Sequence, residues 1–239
     1  MAIIRNPDGF SALPVADPLA ALDIGNPRKW AVFFDDFLAY DITQVVGSPY
    51  TLTATNCVDT IAGPTGALVL TLGGADNDAG QLQVTGSGFQ TNAKRLFFEI
   101  KLKLTLATGT IAANEIYVGL GKEQTTTSFI NSGGTALAVD DFIGFAKYDT
   151  QTKFNAVQRA SDVESVDVGV TPVLLDGVYV TLTVFYDGTR SYFYQDGKLV
   201  STLQGNEPTA IISPVIYIKA GEAKANVLSV DYILAAVER

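Results

Sequence analysis

The 239-residue chain is 47% hydrophobic and only 17% charged, with 16 Lys plus Arg against 25 Asp plus Glu and a formal net charge of -9. That composition supplies a sizeable core, excludes disorder, and lacks the basic excess that a nucleic-acid backbone demands. With no histidine and one cysteine, Cys57, the chain cannot build an intrachain disulfide, a Ser-His-Asp triad, a Cys-His dyad or the usual zinc sites.

Residues 1–29 form an irregular N-terminal arm punctuated by Pro7, Pro14, Pro18 and Pro27. Asp17 as N-cap and Pro18 in the first turn could open one short helix through Leu22. The arm either lies on the domain or reaches onto a neighbouring subunit, because proline-rich leads stay extended. Its interface candidates are Pro7, Phe10, Pro14, Pro18 and Leu19, together with Trp30 where the sheet begins.

From Trp30 to Arg239 the pattern is all-β. Strands are expected at 31–37, 50–55, 67–72, 81–85, 95–104, 115–121, 141–148, near 154–158, and at 214–220 and 226–237. Between them, Val178 to Leu203 reads as a three-stranded meander reversed at Asp187-Gly188 and Asp196-Gly197, since Asp-Gly pairs suit primed hairpin turns. The run 95–104 shows two faces: Leu96, Phe98, Ile100, Leu102 and Leu104 face a core, while Arg95, Glu99, Lys101 and Lys103, with Phe97, face water or a partner. About a dozen strands without a fixed repeat fit a two-sheet antiparallel jelly-roll sandwich. Cys57 reads as a small buried strand residue.

Chemistry is sparse. Glycoside hydrolysis needs two carboxylates flanking the bond, on a strand two or four residues apart, and on 95–104 the positions two and four after Glu99 are Lys101 and Lys103. Asp35-Asp36 and Asp140-Asp141 are sequence neighbours aimed at opposite faces. These patterns imply that the chain is not an enzyme. Asp76-Asn77-Asp78 has oxygen ligands at metal-like spacing, so the loop is an Asx-rich turn or a calcium loop. Tyr40, Tyr50, Tyr148, Tyr192, Tyr194 and Trp30 form either a sugar-stacking platform or cross-strand and interface packing. No secretory signal and no apolar run of roughly 20 residues are visible, so synthesis in a cytoplasm and no membrane span are expected.

FYQDGKLV (193–200) resembles the hairpin of concanavalin A-like and laminin-G-like jelly rolls. The ordered set GGADNDAGQLQ (73–83), RLFFEIKLKL (95–104), YVGLG (117–121), DDFIGFAKYD (140–149) and SVDYILAAVER (229–239) resembles tailed-phage virion proteins of that fold. The resemblance implies a capsid decoration or cement protein, made in the host cytoplasm and resident on the virion. Its partners would be the major capsid protein and its own copies, with a trimer expected. It implies no cofactor and no carried-over catalytic residues. The alternative is a carbohydrate-binding or host-attachment module.

Overall fold

The computed structural model describes residues 22, 24, 26–38, 49–62, 66–86, 88–126, 129–131, 133–161 and 163–239. Among these are fifteen strands: β1 (Trp30–Asp35), β2 (Tyr50–Thr55), β3 (Cys57–Ala62), β4 (Ala67–Leu72), β5 (Ala79–Val84), β6 (Leu96–Thr105), β7 (Asn114–Gly121), β8 (Phe142–Lys147), β9 (Asn155–Ala160), β10 (Val163–Asp167), β11 (Val180–Tyr186), β12 (Arg190–Gln195), β13 (Lys198–Gln204), β14 (Ser213–Ala220) and β15 (Val227–Glu238). They form two antiparallel sheets. One has eight strands in the order β13-β12-β11-β6-β15-β4-β3, with β1 also paired to β15; the other has seven, β10-β9-β8-β7-β14-β5-β2.

The core lies between the sheets. Leu96, Phe98, Ile100, Leu102 and Leu104 of β6 are fully buried there against Ile116, Val118 and Leu120 of β7 and Ile216 and Ile218 of β14. The alternation expected for 95–104 therefore holds on the core face; on the other face Arg95, Lys101 and Lys103 are partly exposed, whereas Phe97 and Glu99 are buried within this chain. β11, β12 and β13 form the expected meander. Asp196 and Gly197 both have positive φ, 49° and 75°, as a two-residue primed turn requires. Asp187-Gly188 works differently: the loop has three residues, and the Asp187 carboxylate accepts from the backbone N–H groups of Thr189 and Arg190.

Both sheets carry extra layers on their outer faces. On the eight-stranded sheet, Leu22 and Ile24 pack with Trp30 over Phe97, Tyr194, Leu234 and Ala236. On the seven-stranded sheet, Phe129, Ile130, Leu137 and Val139 of the β7–β8 connection pack over Tyr117, Phe142, Ala146, Val157, Val215 and Tyr217.

Of the two expectations for the aromatic residues, these layers favour packing, and only the exposure of Trp30 is corrected. Trp30, proposed as an exposed interface residue, is 1% exposed, donates its indole N–H to the Leu22 carbonyl at 3.0 Å and lies beneath the Arg95 guanidinium. Tyr50, Tyr148 and Tyr194 are buried and Tyr192 is half-buried, so none of the first three is a platform open to sugars. Tyr40, Pro7, Phe10, Pro14, Pro18 and Leu19 lie outside the described residues.

Candidate functional site

The seven-stranded sheet presents a face that is chemically rich but closed. Tyr117 lies flat across its own sheet, its hydroxyl donating to the carbonyls of Leu120 (2.9 Å) and Ile143 (3.2 Å). Glycine is required beneath it: a Cβ on Gly119 would meet the Ile143 carbonyl oxygen at 2.4 Å and the Tyr117 hydroxyl at 2.8 Å. Phe129 stacks on the Tyr117 ring with centroids 4.6 Å apart, so the chain's own phenyl group covers this platform. Uncovering it would return Phe129, Ile130, Leu137 and Val139 to water, at about 1.5–3 kcal/mol for most of these side chains.

Beneath the same cover lies a charge cluster. Lys219 on β14 donates to both carboxylate oxygens of Glu115 on β7, at 3.0 and 3.3 Å. Burial pushes the Glu115 carboxyl above its ordinary range, against the pull of Lys219. Lys147 is fully buried and donates to the carbonyls of Ala112, Asn114 and Tyr148. Burial lowers its ammonium to about 7. A Cβ on Gly134 would lie 2.5 Å from Glu115 Oε1 and 2.7 Å from Asp149 Cβ, which brings those two acids to one point.

On the outer face of the eight-stranded sheet Tyr179 is exposed and Lys101, Lys103, Asp231 and Tyr232 are half-buried, around the buried Glu99 and Thr183. There a β-bulge between Val230 and Tyr232 shifts the register of β15 against β6. Such a bulge re-aims side chains. Asp231 reaches Lys101 at 2.7 Å, and the Tyr232 hydroxyl donates to Glu99 Oε1 at 2.8 Å. Thr183 on β11 donates to the other Glu99 oxygen at 2.9 Å. Tyr179 borders the strip, 36% exposed, with the ammonium groups of Lys101 and Lys103 at 5.2 and 4.8 Å from its ring centre. The sequence marked Glu99, Lys101 and Lys103 as one face; it held no sign of the bulge, which sets Asp231 and Tyr232 beside them.

The calcium candidates separate. Asp78 is buried, and its carboxylate accepts from the Ala75 N–H at 2.7 Å and the Asn56 side-chain amide at 3.1 Å. Asn77 takes the left-handed φ of 65°, and Asp76 and Asn77 occupy solvent-exposed positions of the turn. Among the described residues no group of three or more His, Cys, Asp or Glu side chains is arranged to hold a metal.

No protein-family model matches the chain, and no curated protein sequence matches it significantly. Solved structures do. The chain is similar to an endo-1,3-beta-glucanase from Streptomyces sioyaensis, with 14% identity over 90% of this chain and 99% of that one and a TM-score of 0.59. It is similar to the carbohydrate recognition domain of Emp47p, with 12% identity over 89% and 98% and a TM-score of 0.58. It is similar to arcelin-5, a lectin-like defense protein from Phaseolus vulgaris, with 11% identity over 88% and 99% and a TM-score of 0.55. The fold is a concanavalin A-like jelly roll.

Two expectations change. The resemblance to tailed-phage virion proteins narrows to its fold, because nothing in these similarities concerns a virion. The expectation that the chain is not an enzyme is overturned by the glucanase, which shares this scaffold over nearly its whole length. Acids two or four apart on one strand were the expected catalytic arrangement, whereas the fold brings Glu115 and Asp149 together from different strands and loops.

Proposed function

We propose that the chain is a glycan-binding domain that reads saccharides on the outer face of the eight-stranded sheet, at the strip beside Tyr179. The observation that carries this is the exposed Tyr179 ring beside polar groups already fixed by one another: Lys101 to Asp231, and Tyr232 and Thr183 to Glu99. Saccharides are bound by an aromatic surface and a few convergent polar groups, and groups held in place beforehand lose little entropy on binding. The similarity to a carbohydrate recognition domain and to a lectin-like protein supports the same class of ligand. A glycan array followed by calorimetric titration tests it. Tyr179→Ala should weaken the best ligand about tenfold, the scale of losing one well-placed aromatic contact. An array without binders refutes the reading, and release of reducing sugar from a bound glycan would add hydrolysis to it.

A second reading, decoration of a phage capsid, draws on the exposed Val163 and Val166 of edge strand β10 and on Val168, Val173 and Leu175 just after it. Exposed apolar side chains at and after an edge strand are suited to a protein partner. Light scattering and co-sedimentation with capsids test this; a monomer that leaves capsids bare refutes it.

A further inference from the structure

We infer that the saccharide taken by this strip carries an anionic group, a carboxylate or a sulfate ester, bound by Lys103 beside Tyr179; this rests on the glycan-binding reading above. Lys101 and Lys103 are two residues apart on β6 and so project from the same face. Lys101 is neutralised by Asp231 at 2.7 Å. Lys103 has no ion-pair partner among the described residues and rests over the Tyr179 ring, whose other cationic neighbour is Lys101. Of the strip's two carboxylates, Asp231 is held by Lys101, and Glu99 accepts from the Tyr232 and Thr183 hydroxyls, so Lys103 is the ammonium here left for an incoming anion, on a chain whose overall charge is -9.

A neutral sugar would have to strip water from the Lys103 ammonium and return only hydroxyl contacts. A sugar-borne oxyanion returns charge-assisted hydrogen bonds, roughly twice as strong as neutral ones. The overall negative field gives such a ligand no long-range steering, so selectivity must come from contact at Lys103 and fall with salt. The carboxylate and the sulfate offer the same chemistry to this ammonium, and different oligosaccharides separate them.

The test is calorimetric titration of the full chain with an oligogalacturonate, a sulfated oligosaccharide and a neutral β-1,3-glucan oligosaccharide. It is run on the wild type, Lys103→Gln and Lys103→Arg. One of the two anionic ligands should bind best; Lys103→Gln should weaken it about tenfold and Lys103→Arg should hold it within about twofold. Lys103 is half-buried on the sheet surface, and equal melting temperatures show that the variants fold. If only the neutral glucan binds, or if Lys103→Gln leaves the anionic ligand unchanged, the assignment of ligand class is overturned while glycan binding stands. If none of the three and nothing on the array binds, glycan binding falls and the ligand class falls with it.

Discussion

Replacing Lys219 with Met tests whether the outer face of the seven-stranded sheet is sealed. Lys219 and Glu115 are register partners on β14 and β7, with side chains 8% and 3% exposed. The variant leaves the Glu115 carboxylate buried, with the Asp149 carboxylate adding repulsion and Lys147 as the remaining attractive charge. Breaking a buried pair from one side costs about 3–5 kcal/mol, whereas replacing both partners with apolar groups costs little or nothing. Lys219→Met should therefore lose about 3–5 kcal/mol in urea unfolding near pH 7, and Glu115→Leu/Lys219→Met should recover most of it. The pH dependence has a definite sign. Burial holds the folded-state Glu115 carboxyl above its unfolded value of 4.5, and removing Lys219 raises it further. The proton is then bound more tightly by the folded chain, so its contribution is complete below the unfolded value and is lost as pH rises through the folded one. The cost of Lys219→Met should shrink near pH 4. A loss under about 1 kcal/mol, equal at both pH values, is what a solvated pair gives, and it would refute the seal.

Three further outcomes follow from the packing. Phe129→Ala should cost about 3–5 kcal/mol in the same unfolding assay, because the ring is fully buried and stacked on Tyr117; a cost under about 1 kcal/mol would mean the segment is peripheral. Gly119→Ala should abolish folding or cost at least about 3 kcal/mol, since its Cβ would strike the Ile143 carbonyl and the Gly144 Cα, neither of which belongs to a flexible side chain. Cys57 is buried and its thiol is pushed up to about 12 by burial, then by Asp59 and Asp78. The native chain should resist iodoacetamide at mildly alkaline pH and react once unfolded; fast labelling of the native state would contradict that placement.

The periodic part of this fold was legible because each strand has one aliphatic face: β6, β11 and β14 announce themselves by alternation. β3 and β10 were not. CVDTIA has an acid at its centre, and VESVD is an exposed edge with no apolar face. Asn56, at a left-handed φ of 49°, lies between β2 in one sheet and β3 in the other, so what reads as a loop after residue 55 is a change of sheet. The site was less legible still. Alternation says which residues share a face and nothing about what later lies on it. Trp30, Tyr148 and Tyr194 looked open because the segments that bury them are distant in sequence or lack periodicity. The strip at Tyr179 depends on a single extra residue in β15, which shifts Asp231 and Tyr232 by one position against β6.

Lys147 supplies the last test, because it places a fully buried ammonium at the end of the sandwich where β7, β8 and the turn at Ile111–Ala113 meet. Burial lowers the folded-state value to about 7 from 10.5, opposed by Asp149 and Glu115. Three backbone carbonyls, from Ala112, Asn114 and Tyr148, also favour the charged form. With a folded value below the unfolded one, the unfolded chain binds the proton more tightly. The contribution is therefore present above the unfolded value and is lost as pH falls towards the folded one. From about pH 9.5 down to about pH 7 the wild type should lose stability by a few kcal/mol at most, because a tenfold difference in proton affinity between the two states is worth about 1.4 kcal/mol. Stopping short of pH 10 keeps the buried tyrosines, whose hydroxyls are also raised by burial, out of the window. Cys57 titrates in the same interval with the opposite sign, so the comparison is the difference between wild type and Lys147→Met, in which Cys57 cancels. A flat difference over that interval would mean that the three carbonyls outweigh burial and that the ammonium stays charged throughout.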